Sequence, residues 1–480
     1  MRTVSRLAGQ GHLIGGSWSP GNAGGDYDHR YAATGEVQAR IGLAGSGDVD
    51  AAVIAARAAS PAWAALAPLK RARVLFRLAD LLEHHQVEAA ELGALDNGTP
   101  VSVMNPGRYA AAWVRYYAGW CDKLDGEVMS GEPGMSFVRL EPYGVVAVIP
   151  PWNGSMMGMG QKCGPALAAG NTVVAKPPEV SPFGMLRFAE LALEAGLPPG
   201  VLNVVVGGAG AGASLAGHPG VDKITFTGGG ATARLLMASA VRNLTPVALE
   251  LGGKSPNVVF PDADLETAAA SASFGTALLT GQGCALPTRL YVHDDVYDEV
   301  VGLLVSSLAA LTVGDPLDPG TFVGPVVTEA AMERILATID RARADGADLL
   351  AGGQRLDGEL AAGWFVAPTV FGGVDHGSDL ARNEVFGPVQ AVLRFSSDDE
   401  ALSLANDSPY GLGAYLHTRD LGRIQRFVRE IDAGTVAVNG MGRISPATPF
   451  GGYKQSGFGR EGGRAGIEEM VRRKTVSVAP

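Results

Sequence analysis

Two side chains in this 480-residue chain stand where a carbonyl reaction could be run. Glu250 opens the stretch Glu250-Leu-Gly-Gly-Lys-Ser-Pro-Asn257, and Cys284 sits in Gly281-Gln-Gly-Cys284-Ala-Leu-Pro-Thr-Arg289. Both stretches are glycine-punctuated and loop-like, and a helix-forming run from Leu265 to Leu278 separates them, so folding must bring the pair together. A thiol can attack a carbonyl and carry the acyl group, while a carboxylate can activate the water that releases it. The expectation is therefore a nucleophile at Cys284 and a general base at Glu250. A buried, inert thiol is the commoner fate of a cysteine, so neighbouring residues must supply the argument. With only Cys121, Cys163 and Cys284, a disulfide framework is excluded, and the eight histidines lack metal-ligand spacing, so no metal is expected.

The elements that must carry these residues are α/β. After a glycine-rich opening to about Gly47, with Leu13 to Trp18 as a hairpin, helices are expected from Val49 to Ala59 behind an Asp48 N-cap, from Lys70 to Leu95, and from Tyr109 to Leu124. From Tyr143 short β-branched runs alternate with helices. The strands are Val145 to Ile149, Thr172 to Ala175, Leu202 to Val206, Lys223 to Phe226 and Val247 to Glu250, the pattern of a doubly wound parallel sheet. A second α/β pattern follows Ser255, with strands Asn257 to Phe260, Arg289 to His293, Ala391 to Phe395 and Val436 to Asn439. The end, Lys474 to Pro480, is a short alternating strand without an obvious partner, which could complete a sheet in another subunit.

Doubly wound sheets bind ligands beyond the carboxyl ends of their strands. Pro150-Pro-Trp152-Asn153, Lys176-Pro-Pro-Glu179, Phe226-Thr227-Gly228-Gly229 and Glu250-Leu251-Gly252-Gly253 all follow strands of the first pattern. Any one could be a surface turn; four at one sheet edge point to a ligand. Two glycine motifs are decoys. Gly208-Ala-Gly-Ala-Gly-Ala213 lacks the acidic residue that a dinucleotide fingerprint needs about twenty positions on, and Gly252-Gly-Lys-Ser255 has Ala248 where a phosphate loop needs glycine. A net charge of -11 without a basic run argues against nucleic acid and anionic membrane surfaces, and no apolar stretch is long enough to span a bilayer, so a cytoplasmic protein is expected.

In order along the chain, Pro151-Trp-Asn153, Gly164 to Asn171 with Lys176 to Glu179, His218 to Gly228, Glu250 to Asn257, Gly281 to Cys284, Asn383-Glu-Val-Phe-Gly-Pro388 and Pro449 to Gly457 resemble the motifs of the NAD(P)-dependent aldehyde dehydrogenase superfamily, over nearly the whole length. The resemblance implies a two-domain α/β fold with a small β oligomerisation arm. Residues 1–121 and 142–251 would bind cofactor, 252–450 would form the catalytic domain, and 122–141 with 451–480 would form the arm and C-terminal strand. It implies oxidation of a small-molecule aldehyde to a carboxylic acid through a thiohemiacetal and a thioester on Cys284, with Asn153 on the oxyanion and Glu250 as base. Trp152, Lys176, Glu179, Thr227, Gly228, Gly229, Leu251, Gly252, Glu384 and Phe386 would bind the cofactor.

Glu179 favours NAD, because a carboxylate at the ribose repels a 2′-phosphate; NADP is the alternative. A homodimer or homotetramer is implied. The substrate pocket is expected near Trp113, Tyr117, Met157 and 440–445, with Arg108 and Arg443 as candidates for an acidic tail. The chain departs from the family at Gly229, where serine is usual, at Leu279, where asparagine is customary, and at Ala285 to Thr288. The alternatives are a CoA-acylating relative, a cysteine (thio)esterase, and a weakened binding protein on the same fold.

Overall fold

Residues 2–130, 134–442 and 444–479 are described by a computed structural model. Its first large sheet has at its centre the strand Val145–Ile149, whose five residues Val-Val-Ala-Val-Ile are all buried. Alternate residues enter two different cores, Val145, Ala147 and Ile149 on one face and Val146 and Val148 on the other. That is what a near-continuous apolar strand requires: helices on both sides. Ser46–Ala65, Ala209–Ala216 and Gly230–Ala240 cover the first face, and Pro68–His84, Pro106–Ala118, Ser155–Ala168 and Phe183–Glu194 the second.

Across this sheet the order is Ser17–Ser19, His12–Ile14, Leu202–Val204, Thr172–Ala175, Val145–Ile149, Lys223–Thr227, Val247–Glu250 and Gly457–Phe458. The middle five strands are parallel and the flanking pairings antiparallel. Strand order reverses between Val145–Ile149 and Lys223–Thr227, so the crevice at their carboxyl ends is a topological switch point.

The second sheet runs Asp348–Ala351, Thr369–Gly372, Val389–Phe395, Arg289–His293, Pro256–Val259, Gly413–His417 and Thr435–Val438, parallel except for the first pairing. It too divides two cores: Tyr291 and Leu393 face one, Leu290 and Val392 the other. The molecule is thus α/β with two doubly wound sheets, as the alternating pattern predicted.

Several local expectations change. The opening residues begin with a helix, Arg2–Gln10, that buries Val4 and Leu7. Asp48 is not the N-cap of Ser46–Ala65; Gly45 is, and Asp48 Oδ2 accepts from the Gly45 N–H at 2.8 Å. One expected helix breaks into Pro68–His84 and Gln86–Asn97. The terminal strand Val471–Val478 finds its partner in its own chain, antiparallel to Met135–Pro142, which pairs in turn with Glu127–Met129. Alternation alone could not identify a partner more than three hundred residues upstream. Among the described residues no single helix is long and apolar enough to cross a membrane.

Candidate active site

The chain leaves the first sheet at Glu250 and enters the second at Pro256, so only Leu251 to Ser255 separate the two. The carboxyl edge of one sheet must therefore face the amino edge of the other. Cys284 precedes the strand Arg289–His293, and Glu384 and Phe386 precede Val389–Phe395, so both groups reach the cleft from amino ends. Reasoning from carboxyl ends locates Asn153, Lys176 and Glu250, but not these.

Cys284 is half-buried, and it is the one cysteine of the three that is not fully buried. Burial first, then the charges of Glu384, Glu250 and Glu461, push its thiol up to about 12. Asn153 stands in the turn Trp152–Gly154 after the central strand, and its Nδ2 donates to the Gln282 carbonyl at 2.7 Å, two residues before the cysteine. The turn is held from behind: Asn97 Nδ2 donates to the Trp152 carbonyl at 2.9 Å, and Ser155 Oγ donates to buried Asp96 at 3.3 Å. A Cβ on Gly253 would lie 2.6 Å from the Cys284 carbonyl oxygen, so the backbone passes the Cys284 loop at a distance that only glycine permits.

Glu250 is 4% exposed, and its Oε2 has no hydrogen-bond partner. Burial and, next, the carboxylate of Glu461 hold it well above the usual carboxylate range, while Lys162 and Arg460 pull it back. Lys162 Nζ donates to Thr225 Oγ1 at 3.0 Å and pairs with Glu461, which also accepts from Gln161 Nε2. Neither Lys162 nor Glu461 was singled out from the sequence. The available signal was a lone cation inside the otherwise uncharged helix Ser155–Ala168, whose burial demands a counter-charge.

Around the rest of the cleft the remaining sequence candidates come together. Glu384 Oε1 accepts from the Gly253 N–H at 3.0 Å, and a Cβ on Gly252 would overlap its Oε2 at 2.0 Å. Burial raises the Glu384 carboxyl to about 7 against the opposing pull of the Gly253 N–H, Lys254 and Arg334. Phe386 has a left-handed backbone, φ 52, and its ring stands edge-on to Trp152 with centroids 5.5 Å apart. Lys176 is 7% exposed and donates to the Gly207 carbonyl at 2.5 Å; burial pulls its amine down to about 8, with Glu179 opposing. Glu179 approaches Gly208, where a Cβ would lie 3.4 Å from its Oε1.

Thr227 ends its strand, the Gly228 N–H donates to the Glu250 carbonyl at 3.1 Å, and exposed Gly229 is the N-cap of Gly230–Ala240. A Cβ on Gly229 would meet nothing within 4 Å, which leaves this helix N-terminus open to an anion. The Leu251 N–H donates to the Ser456 carbonyl at 3.0 Å, and Ser456 Oγ donates to the Gly252 carbonyl at 2.8 Å.

The expected substrate pocket is only partly assembled. Trp113 and Tyr117 lie in the core of the first sheet, where Tyr117 Oη donates to the Gly463 carbonyl at 3.2 Å. An aromatic run on an amphipathic helix there serves packing. Met157 is half-buried, Arg108 is exposed, and Arg443 lies outside the described residues.

The sequence profile of the aldehyde dehydrogenase family matches residues 18–476. The chain is 40% identical over 471 residues to the protein DhaS of Bacillus subtilis (strain 168), covering 97% of this chain and 94% of DhaS. Its fold superposes on the crystal structure of PnpE from Pseudomonas sp. WBC-3 with a TM-score of 0.95, 41% identity, and coverage of 98% and 97% of the two chains; a structure of PnpE with nicotinamide adenine dinucleotide gives 0.96. Betaine aldehyde dehydrogenase from Staphylococcus aureus, in complex with NAD+, gives a TM-score of 0.95 at 34% identity, covering 99% of this chain and 95% of the other.

Proposed function

Because the chain belongs to the aldehyde dehydrogenase family, we propose that it oxidises a small aldehyde to the carboxylic acid with NAD, through a covalent intermediate on Cys284. The observation that carries this reading is the meeting of Cys284, Asn153, Glu250 and Glu384 where two sheet edges face each other across five residues. The residues of the first sheet's carboxyl edge suit a dinucleotide. Gly252 has no side chain where Glu384 approaches, Lys176 and Glu179 flank one end of the crevice, and the open N-terminus after Gly229 suits a phosphate. Trp152, Thr227, Gly228, Leu251 and Phe386 line the path between them. When bound, NAD supplies the hydride acceptor. NAD-bound relatives at 34% and 41% identity support that cofactor, and Glu179 disfavours the 2′-phosphate of NADP.

The protein's own groups divide the work. Cys284 passes its proton to solvent and its sulfur forms the bond to the aldehyde carbon; the second N–H of the Asn153 amide and the Cys284 backbone N–H donate to the oxyanion, one such donor contributing about 3 kcal/mol of barrier lowering. A thiol held near 12 is protonated at neutral pH, so its attack needs a base and a desolvated carbonyl. Once the thioester stands on Cys284, Glu250 takes a proton from water and the carboxylic acid leaves. Burial of Glu250 without a partner on Oε2 supports this role, since a satisfied carboxylate would be a poor base. Retention of that base favours water over CoA as the acyl acceptor.

Residues 1–121 and 142–251 are assigned to cofactor binding, 252–450 to catalysis, and 122–141 with Val471–Val478 to a strand arm through which a dimer or tetramer would form; Gly457–Phe458 belongs with the first sheet. The test is NADH absorbance with a panel of aldehydes. Wild type is expected to reduce NAD with at least one, and Cys284→Ala with none; full turnover by Cys284→Ala would remove the covalent mechanism.

A further inference from the structure

Three consecutive residues ahead of the nucleophile adopt left-handed backbone: Leu279 (φ 53, ψ 27), Thr280 (φ 56, ψ 39) and Gly281 (φ 69). Glycine is at ease there, but leucine is disfavoured and a β-branched threonine more so. The turn cannot relax towards its neighbour, because a Cβ on Gly281 would lie 2.1 Å from the Gly387 carbonyl oxygen, on the loop that carries Glu384 and Phe386.

Two side chains tie this turn down: Thr280 Oγ1 donates to the Gly324 carbonyl at 3.1 Å, and Gln282 holds the turn on the side of Cys284. The Gln282 N–H and its Nε2 both donate to the Leu279 carbonyl, at 3.0 and 3.2 Å, and its Oε1 accepts from the Val327 N–H at 3.0 Å. Gln282 is 4% exposed, so each end of its amide is spent on a protein partner. Its carbonyl is the group to which Asn153 Nδ2 donates at 2.7 Å. An amide has two N–H bonds; with one committed to Gln282, the direction of the other is fixed.

We propose that Gln282 is a positioning residue that locks the strained turn before Cys284 and, through the same backbone, aims the Asn153 amide, so that nucleophile and oxyanion donor are set by one side chain. The inference rests on the roles given above to Cys284 and Asn153. From two residues ahead of the cysteine, its contacts link three otherwise separate pieces: the turn after Leu265–Ala277, the segment before Glu329–Ala344 and the turn after Val145–Ile149. Displacing a reacting group by about 1 Å costs on the order of 100-fold in rate, so loss of the clamp should appear in chemistry rather than in cofactor binding.

The test is pre-steady-state NADH formation by wild type, Gln282→Met, Gln282→Glu, Asn153→Ala and the double variant Asn153→Ala/Gln282→Met. Gln282→Met is expected to lower the burst rate constant roughly 10- to 100-fold while KM for NAD stays within about twofold. Gln282→Glu keeps an acceptor for Val327 but sets a carboxylate against the Leu279 carbonyl, so it falls between, and it remains informative if Gln282→Met does not fold. The double variant is expected to lose well under the product of the two single losses. A side chain that only fills a polar niche would lower the melting temperature and the burst amplitude, leave the burst rate constant unchanged and give multiplicative losses; that result overturns the proposal. A wild-type chain that forms no NADH with any aldehyde overturns the dehydrogenase reading and this inference together, whereas normal wild-type NADH formation with an unaltered Gln282→Met single-turnover rate constant overturns the inference alone.

Discussion

Gly252 and Gly253 are adjacent, neither has left-handed backbone, and yet replacing them with alanine should produce opposite kinetic signatures. The Cβ of Gly253→Ala would stand 2.6 Å from the Cys284 carbonyl oxygen, about 0.8 Å short of ordinary contact, and that oxygen is backbone. The nucleophile loop has to retreat, and a displacement of this size costs roughly 100-fold in the chemical step. Gly252→Ala meets Glu384 Oε2 at 2.0 Å, which is the end of a side chain and can swing away. What is lost is the hydrogen bond from the Gly253 N–H to Glu384, worth about 1.5–3 kcal/mol for a charged acceptor, and with it the carboxylate proposed for the cofactor ribose. At 1.4 kcal/mol per tenfold, KM for NAD should rise on the order of 10- to 100-fold while saturating kcat changes little. Steady-state kinetics with NAD varied, together with the NADH burst, separate the two. The reasoning fails if Gly253→Ala keeps kcat within about twofold of wild type, or if Gly252→Ala depresses the burst at saturating NAD as strongly as Gly253→Ala.

Glu250→Gln should form about one equivalent of NADH per active site and then stall, because an amide cannot take the proton from water; continued turnover at the wild-type rate would assign deacylation elsewhere. In the proposed mechanism the ionised form of Glu250 acts as base, and burial raises its pKa, so kcat should climb with pH through the neutral and alkaline range; Lys162→Met removes a cation that stabilises that ionised form, so the profile should move to higher pH, and a shift to lower pH would contradict the assignment. Leu244 has φ 54 and is 83% exposed, so a left-handed leucine is held there without packing gain; Leu244→Asn should stabilise the chain by about 1 kcal/mol, read as a raised urea midpoint, and a lowered midpoint would show that its side chain is covered.

How far the site could be read from sequence follows from which contacts are local. Val145–Ile149 was legible because five apolar residues bounded by turn signals have few alternatives, and its carboxyl-end turn led directly to Asn153. Cys284 and Glu384 lie at amino ends of strands in the second sheet, where strand-end reasoning has no purchase; Cys284 is legible from its thiol chemistry and glycine-punctuated setting, Glu384 by resemblance alone. Lys162, Glu461 and Gln282 escaped because what marks each one is a partner some 45 to 300 residues away. Leu279 was noticed as a departure from a customary asparagine, but only the left-handed backbone supplies a reason for the custom: asparagine tolerates that conformation better than leucine does. The terminal strand failed in the same way, its periodicity fixing that it pairs but not with what.

Ser456 and the short strand Gly457–Phe458 close the edge of the first sheet beside Glu250, and Ser456 lies 204 residues beyond the Gly252 whose carbonyl it holds. Synthesis runs from the N-terminus and domains fold as they emerge. A nascent polypeptide therefore carries Cys284 before the residues that fasten the crossing after Glu250 have been joined. Closure of this sheet edge, and not synthesis of Cys284, governs when the cleft is complete. Arrest of translation before Ser456 should yield a protein that carries Cys284, Asn153, Glu250 and Glu384, the side chains proposed for catalysis and cofactor binding, and performs no complete turnover.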